Sequence, residues 1–377
     1  MLFIKTEDLK IGMRLAKPIY NNKGVLLYER NSKLTKQGIE SARNFGLIGI
    51  YILEPAEPLP PMTADDIEFE RFQTVSVFTI RDELQSILTK GKQVKLFSFA
   101  ESIIKSYGRL DRKINFVQNL RSKEDFVYKH SLNVALLCTM MSHHMNMRRE
   151  EQRETVVAAL VHDIGKLNIP EHLGGIRELT QQDRQEIKRY EFGGIQLAEQ
   201  AFLSMPNIKR TVMQAYKQLD AFHTKKELGS GKLVTGAKLL IVAETYDTMT
   251  AMNSIDEPKS EIATLKYLMA HPEIFEKDVV DALIKSINFL SKGCSVELSS
   301  GLKGLVLTEN EQDILRPVIL CFSNNTIIDL RQTMLYADLE IEDIMKTLDN
   351  RYVIDVSTAE RFKEEQKGRE TVDKKIK

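Results

Sequence analysis

The stretch VVAALVHDIGKLNIP, residues 156–170, decides how this chain is read. Six apolar residues lead into His162, Asp163 and, after Gly165, Lys166. A polar pair and a lysine at the end of an apolar, buried helix are costly unless they meet partners. Neighbours on a helix diverge by about 100°, yet two such side chains can still converge on one ion. Lys166 lies four residues after His162, so a continuing helix puts it on the same face. A cation there would neutralise a phosphate oxygen while a metal activates water.

Two other segments supply partners. FVYKHSLNVALL, residues 126–137, offers His130 near the start of an apolar helix. AKLLIVAETYDTMTAMNS, residues 237–254, is an apolar helix interrupted by Glu244 and Asp247. Two imidazoles and two carboxylates suit a hard-to-borderline divalent ion.

Together these segments resemble the HD superfamily of metal-dependent phosphohydrolases, whose ligand order is His, then His-Asp, then a later Asp. The resemblance narrows to the HD-GYP subfamily, which hydrolyses the bacterial second messenger cyclic di-GMP. HDIGKLNIP, the helix entry KHSLNVA and the closing pattern A-x-x-L-x-V-A-x-x-Y-D-x-M-T-A carry it, over residues 125–255. The later run VELSSGLKGLVL with RPVIL resembles a β module that often follows this domain. The resemblance implies a mainly α protein, with a central HD-type helical domain flanked by a small N-terminal α/β module and a small C-terminal β module. It implies a divalent metal (Mn, Fe, Mg or Zn) on His130, His162, Asp163 and Glu244, with Asp163 and Lys166 in catalytic roles. It also implies cyclic di-GMP or a related nucleotide as ligand, a protein partner being the other expectation.

The chain departs from that family at several positions. Tyr190 stands where a histidine opens a His-x-x-x-Gly context. A gapless count back from Ala237 puts Ala215, Tyr216 and Lys217 at a His-His-Glu run. The same count puts His223, Thr224 and Lys225 at Gly-Tyr-Pro, and Glu244 replaces the last ligating aspartate. Alanine cannot ligate, and un-ionised tyrosine, with a pKa of about 10, is a poor ligand. The expectation is a site holding one ion or none, with little or no diesterase activity, acting by nucleotide or partner binding. The alternative is a slow single-metal phosphohydrolase.

The rest of the chain frames this site. Its 377 residues are 42% hydrophobic and 28% charged, with 53 basic against 53 acidic residues, so no basic excess points to DNA or an anionic membrane. No run approaches the roughly 18 apolar residues of a membrane span. MLFIKTEDLK does not read as a signal peptide, and the scattered Cys138, Cys294 and Cys321 suit a reduced compartment, so a cytoplasmic setting is expected. Residues 1–53 read as a β-rich module, with an NNKG hairpin turn and a helix capped by Thr35 and ended by Gly46. Residues 54–64 are a proline-rich linker, 65–121 a helical connector and 122–291 the HD-GYP-like domain. Residues 292–357 read as a β module of three to five strands and 358–377 as a charged tail. The pair His143-His144 reads as surface, His223 as an exposed loop residue, and GSGK at 229–232 as a turn that lacks the earlier glycine of a phosphate loop.

Overall fold

The structure is a computed structural model that describes residues 2–20, 25–53, 63–116, 118, 121–173, 179–229, 231–251 and 258–344. The proposed NNKG turn, the proline-rich stretch 54–62 and the charged tail lie outside the described residues. The chain divides into two compact units, a larger one of Phe3–Ile52 with Met62–Asn288 and a smaller one built on Phe289–Lys377.

The larger unit is mainly helical. After α1 (Lys36–Asn44) come α2 (Ala64–Lys90), α3 (Leu96–Tyr107), α4 (Phe126–His144) and α5 (Arg149–Val161). Then follow α6 (Gln181–Ala201), α7 (Pro206–His223), α8 (Thr235–Thr250), α9 (Glu261–Ala270) and α10 (Lys277–Ser286). Helix α4 is the centre, because Leu132 to Met141 is buried without a break. A helix buried on every side needs neighbours on every side, and α2, α5, α8 and α10 all pack against it. Helix α2 begins at a reciprocal cap in which Thr63 and Asp66 satisfy each other's backbone N–H groups. Its buried stripe Phe69, Val77, Ile80, Leu84 and Ile87 faces the core.

The N-terminal strands β1 (Leu2–Lys5), β2 (Arg14–Leu15), β3 (Ile19–Tyr20), β4 (Leu26–Tyr28) and β5 (Gly49–Leu53) form two small sheets. One has the order β1-β5-β2, and the other is the antiparallel pair β3-β4. Thr35 caps α1 by accepting from Gly38 N at 3.1 Å, and Gly46, with φ +63°, follows its end. Leu15, Ile19, Leu34, Ile39, Ile50 and Ile52 close a small core of their own. In the smaller unit, β6 (Ser295–Leu298), β7 (Lys303–Thr308), β8 (Val318–Cys321), β9 (Ile327–Asp329) and β10 (Ile341–Ile344) form an antiparallel sheet. Its order is β10-β6-β7-β8-β9, and the central β8 is buried throughout.

One contact positions the site more than any other. Helix α5 stops at Val161, and residues 164–168 continue as a 3-10 turn against which α6 lies. The approach is backbone on backbone. A Cβ on Gly165 would overlap the carbonyl oxygen of Tyr190, and one on Gly194 would overlap the backbone nitrogen of Gly165. Gly193, next in sequence, has nothing within 4 Å of such a Cβ. Replacing a helical glycine by alanine gains about 1 kcal/mol of helix propensity, whereas overpacking costs about 1–3 kcal/mol. Gly193→Ala is therefore expected to raise stability by up to about 1 kcal/mol in urea unfolding. Gly194→Ala is expected to lower it, because backbone cannot rotate out of the way as a side chain can.

Candidate metal centre

Helix α8 builds one wall of the site. Glu244 and Asp247 are three residues apart and so share a face. Between them they hold one imidazole. His130 Nδ1 is 2.6 Å from Asp247 Oδ2, and His130 Nε2 is 2.5 Å from Glu244 Oε2. The second imidazole stands at the end of α5, where His162 Nδ1 is 2.7 Å from the Ala159 carbonyl oxygen. His162 Nε2 then faces Glu244 Oε2 at 2.8 Å and His130 Nε2 at 3.3 Å. Asp163 Oδ2 completes the group, 3.4 Å from His130 Nε2 and 3.8 Å from His162 Nε2.

One donor atom from each of His130, His162, Asp163 and Glu244 lies within 4.8 Å of the others. Among the described residues this is the group of three or more such side chains close enough to hold an ion. The donor set fits a metal. Bonds of about 2.0–2.2 Å to nitrogen and oxygen separate neighbouring ligand atoms by about 3–3.5 Å, close to the His130–His162 and His130–Asp163 spacings. Each imidazole has its Nδ1 on an oxygen acceptor, the Asp247 carboxylate or the Ala159 carbonyl, which aims Nε2 at the group. Such outer partners fix the tautomer and ring angle of metal-binding histidines.

Asp247 is fully buried and accepts from four side chains. Arg121 Nη2 reaches Oδ1 at 2.7 Å and Oδ2 at 2.6 Å. Asn133 Nδ2 and Gln118 Nε2 donate to Oδ1 at 2.9 and 3.1 Å. The fourth donor is His130. Asn133 in turn accepts from Gln73 of α2 at 3.0 Å. Burial alone would raise the Asp247 pKa, but Arg121 and His130 outweigh it and bring it down to about 2.

Lys166 is not placed as a continuing helix would place it. Because α5 ends at Val161, Lys166 sits on the 3-10 turn, where residues three apart are eclipsed. Its Nζ pairs with Asp163 Oδ2 at 2.6 Å. Burial opposes its charge, but Asp163 and Glu244 outweigh that and raise the Lys166 pKa, so the ammonium stays charged beside the donor group.

A cavity of about 250 Å³ opens beside these residues. From α7 it is lined by Val212, Ala215, Tyr216, Leu219, Asp220 and His223, the stripe that a 3.6-residue period puts on one face. His223 is the last residue of α7 rather than a loop residue, and it is exposed at the cavity. Lys217 is exposed and not on that wall, and Tyr190 does not line the cavity either. Its neighbour Glu191 does, hydrogen-bonded to Tyr216, with burial raising the Glu191 pKa and Lys166 opposing. The sequence held a signal for Glu191: it extends the stripe of Gly194, Ile195 and Ala198, all buried on the inner face of α6. Nothing comparable marked Arg121, Gln118 or Gln73. Among the remaining histidines, His143 is paired with Asp111 at 2.8 Å, away from the cavity.

Burial opposes a proton on His130, but Glu244 and Asp247 outweigh it and raise the pKa from 6.5 to about 10. A raised pKa stabilises the folded state fully below the unfolded value, and the gain is lost as pH rises through the folded value. In protein stripped with chelator, the contribution of His130 to the stability difference between wild type and His130→Gln is therefore expected to be at its full value at about pH 6.5 and just below. It should shrink steadily toward pH 10, as measured by urea unfolding.

The family model for the HD domain matches residues 116–275, which span every residue of this donor group. A cyclic di-GMP phosphodiesterase of Pseudomonas aeruginosa is 21% identical over 204 residues, 54% of this chain and 49% of its own length. A 3'3'-cGAMP-specific phosphodiesterase of Vibrio cholerae serotype O1 is 22% identical over 282 residues, 63% of this chain and 52% of its own. The chain thus spans about half the length of the curated relatives it matches. A solved structure of an HDG"Y"P protein from Bdellovibrio bacteriovorus covers 75% of this chain at 13% identity, with a TM-score of 0.44. No helix among the described residues is long and apolar enough to cross a membrane. Residues 116–275 of the chain thus match the HD domain, and cyclic di-GMP phosphodiesterases are among the proteins the chain is similar to.

Proposed function

We propose that the HD domain binds a cyclic dinucleotide, cyclic di-GMP first, at a single divalent ion held by His130, His162, Asp163 and Glu244, with little or no diesterase turnover. The observation that carries this reading is the α7 wall of the cavity. Ala215 and Tyr216 face the donor group there, where the family resemblance assigns ligating histidines. The carboxylates on that side are already engaged, Glu191 by Tyr216 and Asp220 by Lys188. A cluster of ions gains its rate by clamping both the attacking and the leaving oxygen. One ion and the Lys166 ammonium can grip a phosphate without supplying that second clamp. When bound, the ion would provide a Lewis acid for a phosphate oxygen and lower the pKa of a coordinated water. The protein's part is to aim the two Nε2 atoms, to keep Lys166 charged and to shield the phosphate behind α7.

The second reading, a slow single-metal hydrolase, is favoured by the completeness of the four-donor group. One sample separates the two. With Mn²⁺ and cyclic di-GMP at 100 times its Kd, binding to the native state is expected to stabilise the protein by about 2.7 kcal/mol, with the dinucleotide recovered intact. Turnover that Asp163→Ala abolishes would establish the hydrolase instead, and absence of any stabilisation would remove the binding reading.

Two further outcomes follow from the same site. Because the ion displaces a proton held by His130, metal affinity is expected to rise between pH 6 and pH 9, seen as buffer-dependent heat in titration calorimetry. The triple change Glu191→His/Ala215→His/Tyr216→His is expected to raise bound metal from about one toward two per chain by elemental analysis. Tyr190→His alone should not change it, since Tyr190 does not line the cavity.

A further inference from the structure

We infer that Arg121 is a positioning residue for this site: it clamps Asp247, and through Asp247 it sets the angle at which His130 presents Nε2. The inference rests on the metal reading above only for its second readout.

The chain of contacts is short and wholly buried. Arg121 and Asp247 are each 0% exposed and His130 is 2% exposed. Arg121 Nη2 lies 2.6 Å from Asp247 Oδ2, and that same oxygen lies 2.6 Å from His130 Nδ1. The arginine and the imidazole therefore meet on one atom. The Phe126 ring flanks both, its centre 5.0 Å from the guanidinium carbon and stacked 6.3 Å from the His130 ring. Moving the carboxylate swings the imidazole, because no other acceptor among the described contacts holds Nδ1.

Only one nitrogen of Arg121 does this. Nε and Nη1 are buried without a hydrogen-bond partner. Buried donors left unpaired are destabilising, so this arginine is a poor choice for stability alone. A lysine ammonium placed at Nη2 would make the same contacts. Arg121 is also anchored from behind. Its carbonyl accepts from Ile48 N at 3.0 Å, and the carbonyl of Gln118 accepts from Lys17 Nζ at 3.0 Å. Both donors belong to the N-terminal strands and their connections, so the first fifty residues hold the clamp in place.

The test uses the full chain as Arg121→Met, Arg121→Lys, Asp247→Asn and the double Arg121→Met/Asp247→Asn. The first readout needs no metal: the ring ¹⁵N and ¹H resonances of His130 in chelator-treated protein, with those of His162 as the internal control. The second is the Kd for Co²⁺ together with its visible absorption. Arg121→Met is expected to shift the His130 ring signals, leave those of His162 in place and weaken Co²⁺ binding about 10–100-fold. Arg121→Lys should restore both. In the Asp247→Asn background, Arg121→Met should change the Kd by no more than about twofold, since residues acting through one another are not additive. Unchanged His130 signals in Arg121→Met, or additive losses in the double variant, would overturn the inference. If Arg121→Met does not fold, Arg121→Lys and the charge-balanced double variant decide it. If wild type binds no Co²⁺, the metal reading fails and the His130 signals alone judge Arg121.

Discussion

A single buried carboxylate organises this protein. Asp247 lies in the core with no exposure, and its ionised form persists only because Arg121, Gln118, Asn133 and His130 all donate to it. Breaking a buried pair by removing one partner costs about 3–5 kcal/mol, because the other charge is left alone in a poor solvent for it. The donors come from α4 and from the segment that precedes it, and Gln73 of α2 extends the network through Asn133. The core therefore cannot close unless these elements meet at Asp247. The same closure turns His130 so that Nε2 faces outward to Glu244, His162 and Asp163. Stability and site geometry are one problem here.

The N-terminal strands take part in that solution. Lys17 bonds the Gln118 carbonyl and lies 4.5 Å from the centre of the Tyr51 ring. Burial pulls its pKa down to about 8, with Glu70 and Glu261 opposing. Leu47 bridges to Ser122, one residue beyond Arg121. The irregular segment before α4 would otherwise expose unpaired backbone to the core, and these strands supply its partners. On the cavity side the corresponding device is the pair Gly165 and Gly194, which lets α6 lie on the 3-10 turn and brings Glu191 to the wall facing Lys166.

Part of this was readable from residue order. His162 and Asp163 are adjacent, Glu244 and Asp247 share a helix face, and His130 opens an apolar helix. Polar groups in such settings must find one another, because none can be buried alone. Two expectations shifted for local reasons. Lys166 pairs with Asp163 rather than sharing a helical face with His162, since the helix ends before it. Glu191 rather than Tyr190 lines the cavity, because the inward face of α6 follows the buried stripe through Gly194, Ile195 and Ala198.

What the sequence determined by itself was chemistry and periodicity: a mainly helical protein and four donor groups with the order and spacing of an HD domain. A 3.6-residue repeat says which side of a helix is apolar, and a dipeptide says which charges travel together. Neither says which helices touch. Tertiary structure alone decided that Arg121, five residues before the start of α4, would meet Asp247 some 126 positions later in the chain. That pairing follows from the packing of α8 against α4, which buries the carboxylate where a buried cation offsets the cost of its charge.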